Sequence, residues 1–317
     1  MRRREMLKAT SAAAIGLSSF PFGRTLAAEN KKGRLLYFTR SVGFEHAVVR
    51  RQGNQLSCSE KVLSDLGRRA GFSVECSKDG RVFEGDLDQY DAIAFYTCGD
   101  PTKPDQDNTP PITPAGKRKL LEAIAAGKGF VGFHSASDSF HSSGPRNEIQ
   151  TELDPYVAML GGESVAYGPP QEASLLVLPP FPGVTRICLA EGISFTDEWY
   201  ALKNFARDLH VILVQETRFM KGDCYRRPDY PCTWVRMHGK GRVFYTSMGH
   251  AEDIWTNPFF QGIVWGGLTW AMSMVDTTLE PNLDRVTPQA NQLAHQAASG
   301  ASGVPTGGPG PSQTAPS

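Results

Sequence analysis

The sequence predicts an α/β fold, a doubly wound and mostly parallel sheet with helices on both faces and added antiparallel strands. In the first half of the chain, short apolar runs typical of buried strands alternate with amphipathic helical segments. This alternation favours a parallel sheet because parallel neighbours require helical crossovers. The second half is richer in strands and contains a hairpin pattern, which predicts the antiparallel additions.

The first predicted element is a strand at Arg34–Thr39. A helix over Ser59–Ala70 follows, because its apolar residues form one stripe at helical spacing and Gly71 provides a stop signal. Two further short apolar runs, Phe72–Cys76 and Asp91–Thr97, predict the next strands. These elements already have the order of a parallel sheet with crossovers.

The next helix has the clearest boundaries in the chain. Thr113 is a good N-cap, Pro114 suits the first helical position and Gly127 ends the segment. A strand opened by glycine, Gly129–Phe133, comes directly after it and leads into His134. The sequence therefore predicts a central buried strand whose carboxyl end carries polar residues.

The second half of the chain begins with a short helix and then turns to strands. His238–Gly241 lies between two β-type runs and predicts a hairpin, because its glycines tolerate positive φ. Asn257 and the proline after it predict the start of the last helix. The predicted helices are Glu152–Leu160 and Pro258–Met274, and the predicted strands are Ala173–Leu178, Phe195–Tyr200, His210–Gln215, Thr233–Met237 and Arg242–Ser247.

Composition divides the chain into three parts. Residues 1–28 combine arginines, an apolar run and a small-residue site at Leu26–Ala28, as in a twin-arginine export signal. Residues 29–280 form the predicted domain, and residues 281–317 are rich in Pro, Gly, Ala and Ser and predict a disordered tail. We therefore expect an exported protein, periplasmic or extracellular, with no membrane span in the mature chain.

Charge and motifs exclude several classes of function. The 33 basic residues balance the 33 acidic residues, so no global field attracts nucleic acid or an anionic membrane. Neither G-x-G-x-x-G nor a Walker sequence is present, so no nucleotide cofactor is expected. The six cysteines have no C-x-x-C spacing, which argues against a structural zinc site.

Two cysteine hypotheses stay open at this stage. Cys224 and Cys232 bracket a short loop, so they are candidates for a local disulfide or for free thiols. Cys98 follows a predicted strand and is a candidate nucleophile, with a buried inert thiol as the alternative.

Three histidines follow three predicted strands, which makes them the main site candidates. They are His46, His134 and His250, and the carboxylates Asp138 and Glu198 lie in polar segments that can close over the same sheet edge. Ligands bind at the carboxyl edge of open α/β sheets. Such a set suits a general base or a divalent metal ion, although each histidine can also be a structural residue.

Aromatic residues near these positions predict a sugar subsite. Trp199 follows Glu198, Trp255 lies shortly after His250, and Phe44 precedes His46. The alternative is that the tryptophans only fill the core. His141, His210 and His238 are predicted to be structural residues of a loop, a strand start and a hairpin.

Four segments together resemble the ThuA-like (trehalose utilisation) family over about residues 33 to 273, namely Gly129–Ala136, Asp197–Tyr200, Thr233–Arg236 and Gly239–His250. The resemblance implies a flavodoxin-like fold similar to class I glutamine amidotransferases, without the amidotransferase cysteine. It also implies disaccharide catabolism through 3-keto glycosides made by a partner sugar 3-dehydrogenase. The residues that match by position are His46, His134, Asp138, Glu198 and His250.

Two departures from the family pattern stand out. Relatives usually carry a histidine in the segment after Gly161-Gly162, where this chain has Glu163–Gly168 and no histidine. The loop between Cys224 and Cys232 also differs.

Two functional hypotheses follow from these observations. The first is an exported enzyme that acts on a keto-sugar or glycoside by base-assisted elimination, isomerisation or hydrolysis. His134 and Glu198 would then be base and acid, with Asp138 as a further catalytic residue and His46 and His250 as metal ligands or enolate stabilisers. The alternative is a non-catalytic sugar-binding or scaffolding protein on the same fold.

Overall fold

The central strand of the sheet is β4, Gly129–Phe133, and all five of its residues are buried. The computed structural model describes residues 33–183 and 193–294, which belong to one compact unit. Within these ranges one sheet has nine strands. Their spatial order is β2 (Phe72–Ser77), β1 (Gly33–Phe38), β3 (Ala92–Phe95), β4, β11 (Gly241–Thr246), β10 (Tyr230–His238), β9 (His210–Gln215), β6 (Gln171–Val177) and β7 (Ile193–Asp197).

Strand pairing in the sheet changes from parallel to antiparallel at β11. The strands from β2 to β11 pair in parallel, whereas β10, β9, β6 and β7 are added in antiparallel pairs. Helices connect the parallel strands, as such crossovers require. The predicted α/β fold with added antiparallel strands is therefore confirmed.

Helices cover both faces of the sheet and bury two separate cores. The helices α1 (Cys58–Ala70) and α5 (Pro258–Ala271) pack on one face, while α2 (Pro114–Ala126) and α3 (Pro155–Leu160) pack on the other. The predicted caps are present, since Thr113 accepts the amide of Gly116 and Asn257 accepts the amide of Phe259. Both cores leave the carboxyl edge of β4 free for polar residues.

The segment predicted as one strand, Phe195–Tyr200, is two strands in two sheets. It divides into β7 and β8 (Tyr200–Lys203), and β8 pairs with β5 (Glu163–Tyr167) in a separate two-stranded sheet. The division falls at Asp197, whose carboxylate accepts backbone amides. Strand β5 was not predicted, because Glu163–Tyr167 is short and mixes polar and small residues.

The described part of the predicted tail is folded. Helix α6 (Leu283–Val286) follows helices α4 (Glu252–Thr256) and α5 in the chain, and Leu283 is buried. The Asn282 side chain bonds both the amide and the carbonyl of Val211. The predicted export segment, 1–28, and residues 295–317 lie outside the described residues. Within the part that is described, no helix is long and apolar enough to cross a bilayer.

Candidate metal centre

Four predicted site residues meet at the carboxyl edge of β4. His46, His134, Glu198 and His250 each offer one ligand atom, and these atoms all lie within 4.8 Å of one another. The Glu198 Oε2 atom is 3.6 Å from His46 Nε2, 3.4 Å from His134 Nε2 and 3.5 Å from His250 Nδ1. Residues from four distant parts of the chain therefore share one small volume.

His134 occupies a strained turn directly after β4. Its φ is +44°, in the left-handed region that residues other than glycine rarely adopt. The Tyr245 hydroxyl donates to the His134 carbonyl at 2.8 Å, and the His134 Nδ1–H donates to the Ser247 carbonyl at 2.7 Å. These bonds fix the ring and leave Nε2 as the nitrogen that faces Glu198. Such strain at a strand exit is typical of functional sites.

Asp197 holds the other side of the site together, and its role was not predicted. This buried carboxylate accepts the amides of Gly249 at 2.8 Å, Glu198 at 3.0 Å and His250 at 3.2 Å. Burial raises its pKa to about 6, against the effect of these amide donors. Asp197 thereby ties the end of β7 to the exit of β11. Its place next to Glu198 was the only sequence signal for it.

Two of the three nitrogens that face Glu198 lack hydrogen-bond partners within the described residues. His134 Nε2 and His250 Nδ1 are buried and unpaired within the described structure, and the distances to Glu198 exceed an ordinary hydrogen bond. Leaving buried polar atoms unpaired is costly, so native structures rarely do so without a reason. A bound cation would satisfy these atoms together.

The donor set fits a divalent metal ion such as Zn²⁺. Ligands at 2.0–2.1 Å in a tetrahedron lie about 3.3–3.4 Å apart. The three distances from Glu198 to the imidazoles, 3.4 to 3.6 Å, are close to that spacing. Three imidazoles and one carboxylate are also ligands that zinc and similar ions favour.

The charge states of His46, His134 and Glu198 favour cation binding as well, whereas at His250 the effect of Glu198 outweighs burial and raises the pKa, so a cation competes there with a proton. Burial lowers the pKa of His46 to about 4 and also lowers the pKa of His134, so both rings are neutral at neutral pH. Burial opposes ionisation of Glu198, but the imidazoles of His134, His250 and His46 outweigh it and hold the pKa of Glu198 well below its usual value. Neutral imidazole and ionised carboxylate are the forms that bind metal.

Asp138 belongs to a second cluster. Its Oδ1 atom accepts from His141 Nε2 at 2.9 Å, from Arg146 at 2.9 Å and from Ser164 at 3.0 Å. His141 Nδ1 faces Glu163 Oε1, also at 2.9 Å. An imidazole between two carboxylates is protonated on both nitrogens. The two carboxylates accordingly raise the pKa of His141 although burial opposes this.

His141 was predicted to be only a structural residue of a loop. The structure shows that it also pairs with two carboxylates. Glu163 is its partner, and also accepts from the Ser142 amide and the Asn204 side chain. We call Asp138, His141 and Glu163 the clamp cluster. It adjoins the four-residue site through Tyr200, whose ring lies 4.9 Å from that of His134 and whose pKa is raised chiefly by burial and then by Asp138.

The predicted sugar-stacking tryptophans are core residues, which corrects that prediction. Trp199 and Trp255 have no exposed surface, and their indole N–H groups donate to the carbonyls of Gln171 and Gly249. Neither ring offers a face to a ligand. Phe44 differs, since it is 58% exposed and its ring lies 4.9 Å from that of His46.

The cysteine hypotheses also find no support. Burial raises the pKa of Cys98 to about 12, and its thiol lies 3.6 Å from the Asp138 carboxylate, so it is not an activated nucleophile. Cys224 and Cys232 are both free thiols.

Comparison with known proteins agrees with the resemblance seen in the sequence. The family model "ThuA: Trehalose utilisation" matches residues 34–271. A ThuA-like protein from Bacteroides uniformis has a TM-score of 0.55 and 18% identity, with 84% of this chain and 100% of that protein covered. One from Parabacteroides merdae has a TM-score of 0.52 and 18% identity, with coverages of 84% and 98%.

At this level of identity, the two structures support the fold alone. A comparison with curated proteins gives no significant match. The family match spans most of the chain, including all four residues of the metal centre. The chain belongs to the ThuA (trehalose utilisation) family.

Proposed function

We propose that this protein is a metal-dependent enzyme that acts on 3-keto glycosides or related disaccharide derivatives by removing the proton at C2. The observation that carries the proposal is the convergence of buried, unpaired imidazole nitrogens on Glu198. The family's link to trehalose utilisation supports a sugar as substrate. A protein that only binds sugar has no need for such a costly arrangement.

His46, His134, Glu198 and His250 are the residues that would hold the ion. When bound, a divalent ion supplies Lewis acidity that polarises a carbonyl oxygen and makes the neighbouring C–H more acidic. Residues that coordinate a metal are not free to transfer protons. We therefore replace the roles of base and acid predicted for His134 and Glu198 with the role of ligands.

Asp138 is the group that we assign as proton acceptor. Its Oδ1 atom accepts from His141, Arg146 and Ser164, whereas the hydrogen bond to its Oδ2 atom within the described residues comes from the weakly donating Cys98 thiol, at 3.6 Å. The hydrogen bond from His141 keeps the pKa of Asp138 below its usual value despite burial, so the carboxylate is ionised and able to accept a proton.

The proposed step balances without an external oxidant. Asp138 takes the C2 proton, and the C–H electron pair moves towards the C3 carbonyl oxygen. In elimination, these electrons form a C1–C2 double bond, the bond from C1 to the glycosidic oxygen breaks, and the leaving oxygen takes up the proton. In isomerisation, the proton returns to the sugar instead.

The substrate class implies a partner reaction. A ketone at C3 arises from a hydroxyl by a two-electron oxidation, which requires an oxidoreductase such as a sugar 3-dehydrogenase. We propose that both act outside the inner membrane, in accordance with the export signal predicted at residues 1–28. Cell fractionation with a tag at the carboxyl terminus tests the location, and recovery of uncleaved protein only from the cytoplasm would contradict it.

The test of the proposal combines metal analysis with deuterium exchange at C2 of a 3-keto disaccharide. The wild type should contain about one divalent ion per chain and exchange the C2 proton. His134→Ala should lose both the metal and the exchange, whereas Asp138→Asn should keep the metal and lose the exchange. His238→Ala, at a half-buried hairpin position, is the matched control and should change neither.

Two results would contradict the proposal. A wild type that binds the sugar tightly without exchange would favour the non-catalytic binding protein. A wild type that exchanges the C2 proton after complete removal of metal would show that the chemistry does not depend on the ion.

A further inference from the structure

A continuous row of ring contacts crosses the metal centre. Phe44 lies 4.9 Å from His46, His46 lies 4.8 Å from His134, and His134 lies 4.9 Å from Tyr200, as measured between ring centroids. Tyr200 lies 5.4 Å from Tyr167. The row therefore runs from Phe44 to Tyr167 through two of the proposed metal ligands.

The two ends of this row are exposed, whereas its middle is buried. Phe44 is 58% exposed and Tyr167 is 55% exposed, while His46, His134 and Tyr200 are each at most 2% exposed. Large aromatic faces in water are unfavourable unless they serve to bind something. Their placement at both ends of one row is what separates them from scattered surface aromatics.

Both exposed rings stand on braced backbone. Beside Phe44, the Gly43 carbonyl accepts from the Gln106 side chain at 2.9 Å, and the Val42 amide donates to the Cys98 carbonyl at 2.8 Å. Gly43 has φ +93°, a conformation that favours glycine at this turn.

At the other end, Tyr167 ends β5 opposite Tyr200, and the next amide, of Gly168, donates to the Tyr225 hydroxyl at 2.8 Å. The ring at each end of the row is thus held in place before any ligand arrives. Preorganised aromatic faces lose little entropy when they bind a ligand.

We propose that Phe44 and Tyr167 are the two stacking walls of a glycoside-binding site, one for each sugar ring of a disaccharide that spans the metal centre. This inference rests on the proposed function. The C–H face of a pyranose is apolar and packs on aromatic rings, while its hydroxyl and keto oxygens remain directed towards polar groups. Both kinds of surface are present here, with the metal ligands between the walls.

The two walls predict a preference for disaccharides over monosaccharides. A 3-keto monosaccharide reaches the metal centre but stacks on one wall only. A disaccharide with its keto ring at the centre engages both walls. Each wall should then contribute about tenfold to affinity, the usual value of one good stacking contact.

The experiment uses calorimetry on the metal-loaded full chain. It measures the dissociation constant of trehalose, which lacks the keto group that the proposed step requires, and that of 3-keto-trehalose in the Asp138→Asn background, which keeps the metal but does not exchange the C2 proton. Phe44→Ala and Tyr167→Ala should each weaken binding of both disaccharides about tenfold, with metal content unchanged. Tyr167→Phe keeps the ring and should bind like the wild type. The matched control is Phe219→Ala, since Phe219 is 79% exposed and contacts Arg218 instead of the row.

Unchanged dissociation constants in either alanine variant would overturn the proposal, and so would a wild type that binds neither disaccharide. An equal loss in Phe219→Ala would also overturn it, because the effect would not be specific to the row. If binding depends on both Phe44 and Tyr167 but the wild type does not exchange the C2 proton, the two stacking walls are supported and the proposed enzymatic function is refuted. Failure of the stacking proposal and failure of the proposed function therefore give different results.

Discussion

Two clusters of histidine and carboxylate lie side by side at this sheet edge, and their hydrogen bonding is opposite. In the clamp cluster, both nitrogens of His141 meet carboxylate oxygens at 2.9 Å. In the metal centre, three imidazoles surround one carboxylate at 3.4 to 3.6 Å, and two of the nitrogens facing it have no partner. Residue type alone does not separate the two clusters.

The difference shows what each cluster is suited to do. A histidine with both nitrogens paired is a fixed cation that neutralises buried carboxylates and stabilises the fold. Imidazoles that point unpaired at one carboxylate have their lone pairs free for a cation. The first cluster should therefore matter for stability and the second for metal binding.

The largest expected effect is the difference in metal affinity when one glutamate in each cluster is replaced by glutamine. Glu198→Gln should weaken metal affinity more than 100-fold, because loss of an outer-shell partner alone costs about 10–100-fold. Glu163→Gln should leave metal affinity near the wild-type value. Elemental analysis after dialysis against a graded chelator measures both, and equal losses in the two variants would erase the distinction.

Removal of His141 should affect stability instead. His141→Gln leaves the buried Glu163 and the half-buried Asp138 as carboxylates without their cation, which costs about 3 kcal/mol in the free energy of unfolding. Arg146 still bonds Asp138 and limits the loss. Urea unfolding of the metal-free proteins measures it. A variant as stable as the wild type would show that the clamp cluster contributes nothing to the fold.

Asp197 offers a way to weaken the metal centre without touching a ligand. Oδ2 of Asp197 accepts the amide of Gly249, and Oδ1 accepts the amides of Glu198 and His250, so Asp197→Asn replaces at least one of these acceptors with an N–H donor. We expect metal affinity to fall about 10–100-fold, as for other outer-shell partners. Asp229→Asn, in the loop before β10, is the control. If Asp197→Asn binds metal like the wild type, the four ligands hold their geometry without Asp197.

The smallest effect concerns pH. Asp138 and Glu163 raise the pKa of His141, so the stability that the imidazolium provides is complete below its unfolded value and is lost as pH rises through the folded value. Arg146 and Lys203 also face the cluster. The stability difference between wild type and His141→Gln should therefore shrink as pH rises above about 6.5, the ordinary pKa of histidine.

Low pH acts on the carboxylates of the same cluster. His141 lowers the pKa of Asp138 and Glu163 against the effect of burial, so their contribution is lost as pH falls through their folded values. For the imidazolium of His141, the test lies at high pH. If the stability difference between wild type and His141→Gln grows above neutral pH, this assignment of charges is contradicted.

Much of the metal centre could be predicted because its residues follow buried strands. His134 ends the glycine-opened strand directly, and the chain order of strands and helices placed His46 and His250 at the same edge. Glu198 was identified from its polar setting beside aromatic residues. These signals are local, and parallel topology turns them into a statement about proximity.

The clamp cluster and the role of Asp197 could not be predicted in the same way. Glu163 meets His141 only because β5 and β8 form a small second sheet, and β5 has little strand signal. Asp197 acts by accepting amides from a distant loop, which leaves no pattern in its own segment. Trp199 and Trp255 stand next to polar residues in sequence, so their complete burial depends on tertiary packing.

Anomalous X-ray diffraction from crystals of the metal-loaded protein tests the central distinction most directly. We predict one strong peak within about 2.0–2.2 Å of ligand atoms from His46, His134, Glu198 and His250, and none at the clamp cluster. A peak at His141, or a density at the four-residue site that is only water after metal loading, would contradict this conclusion.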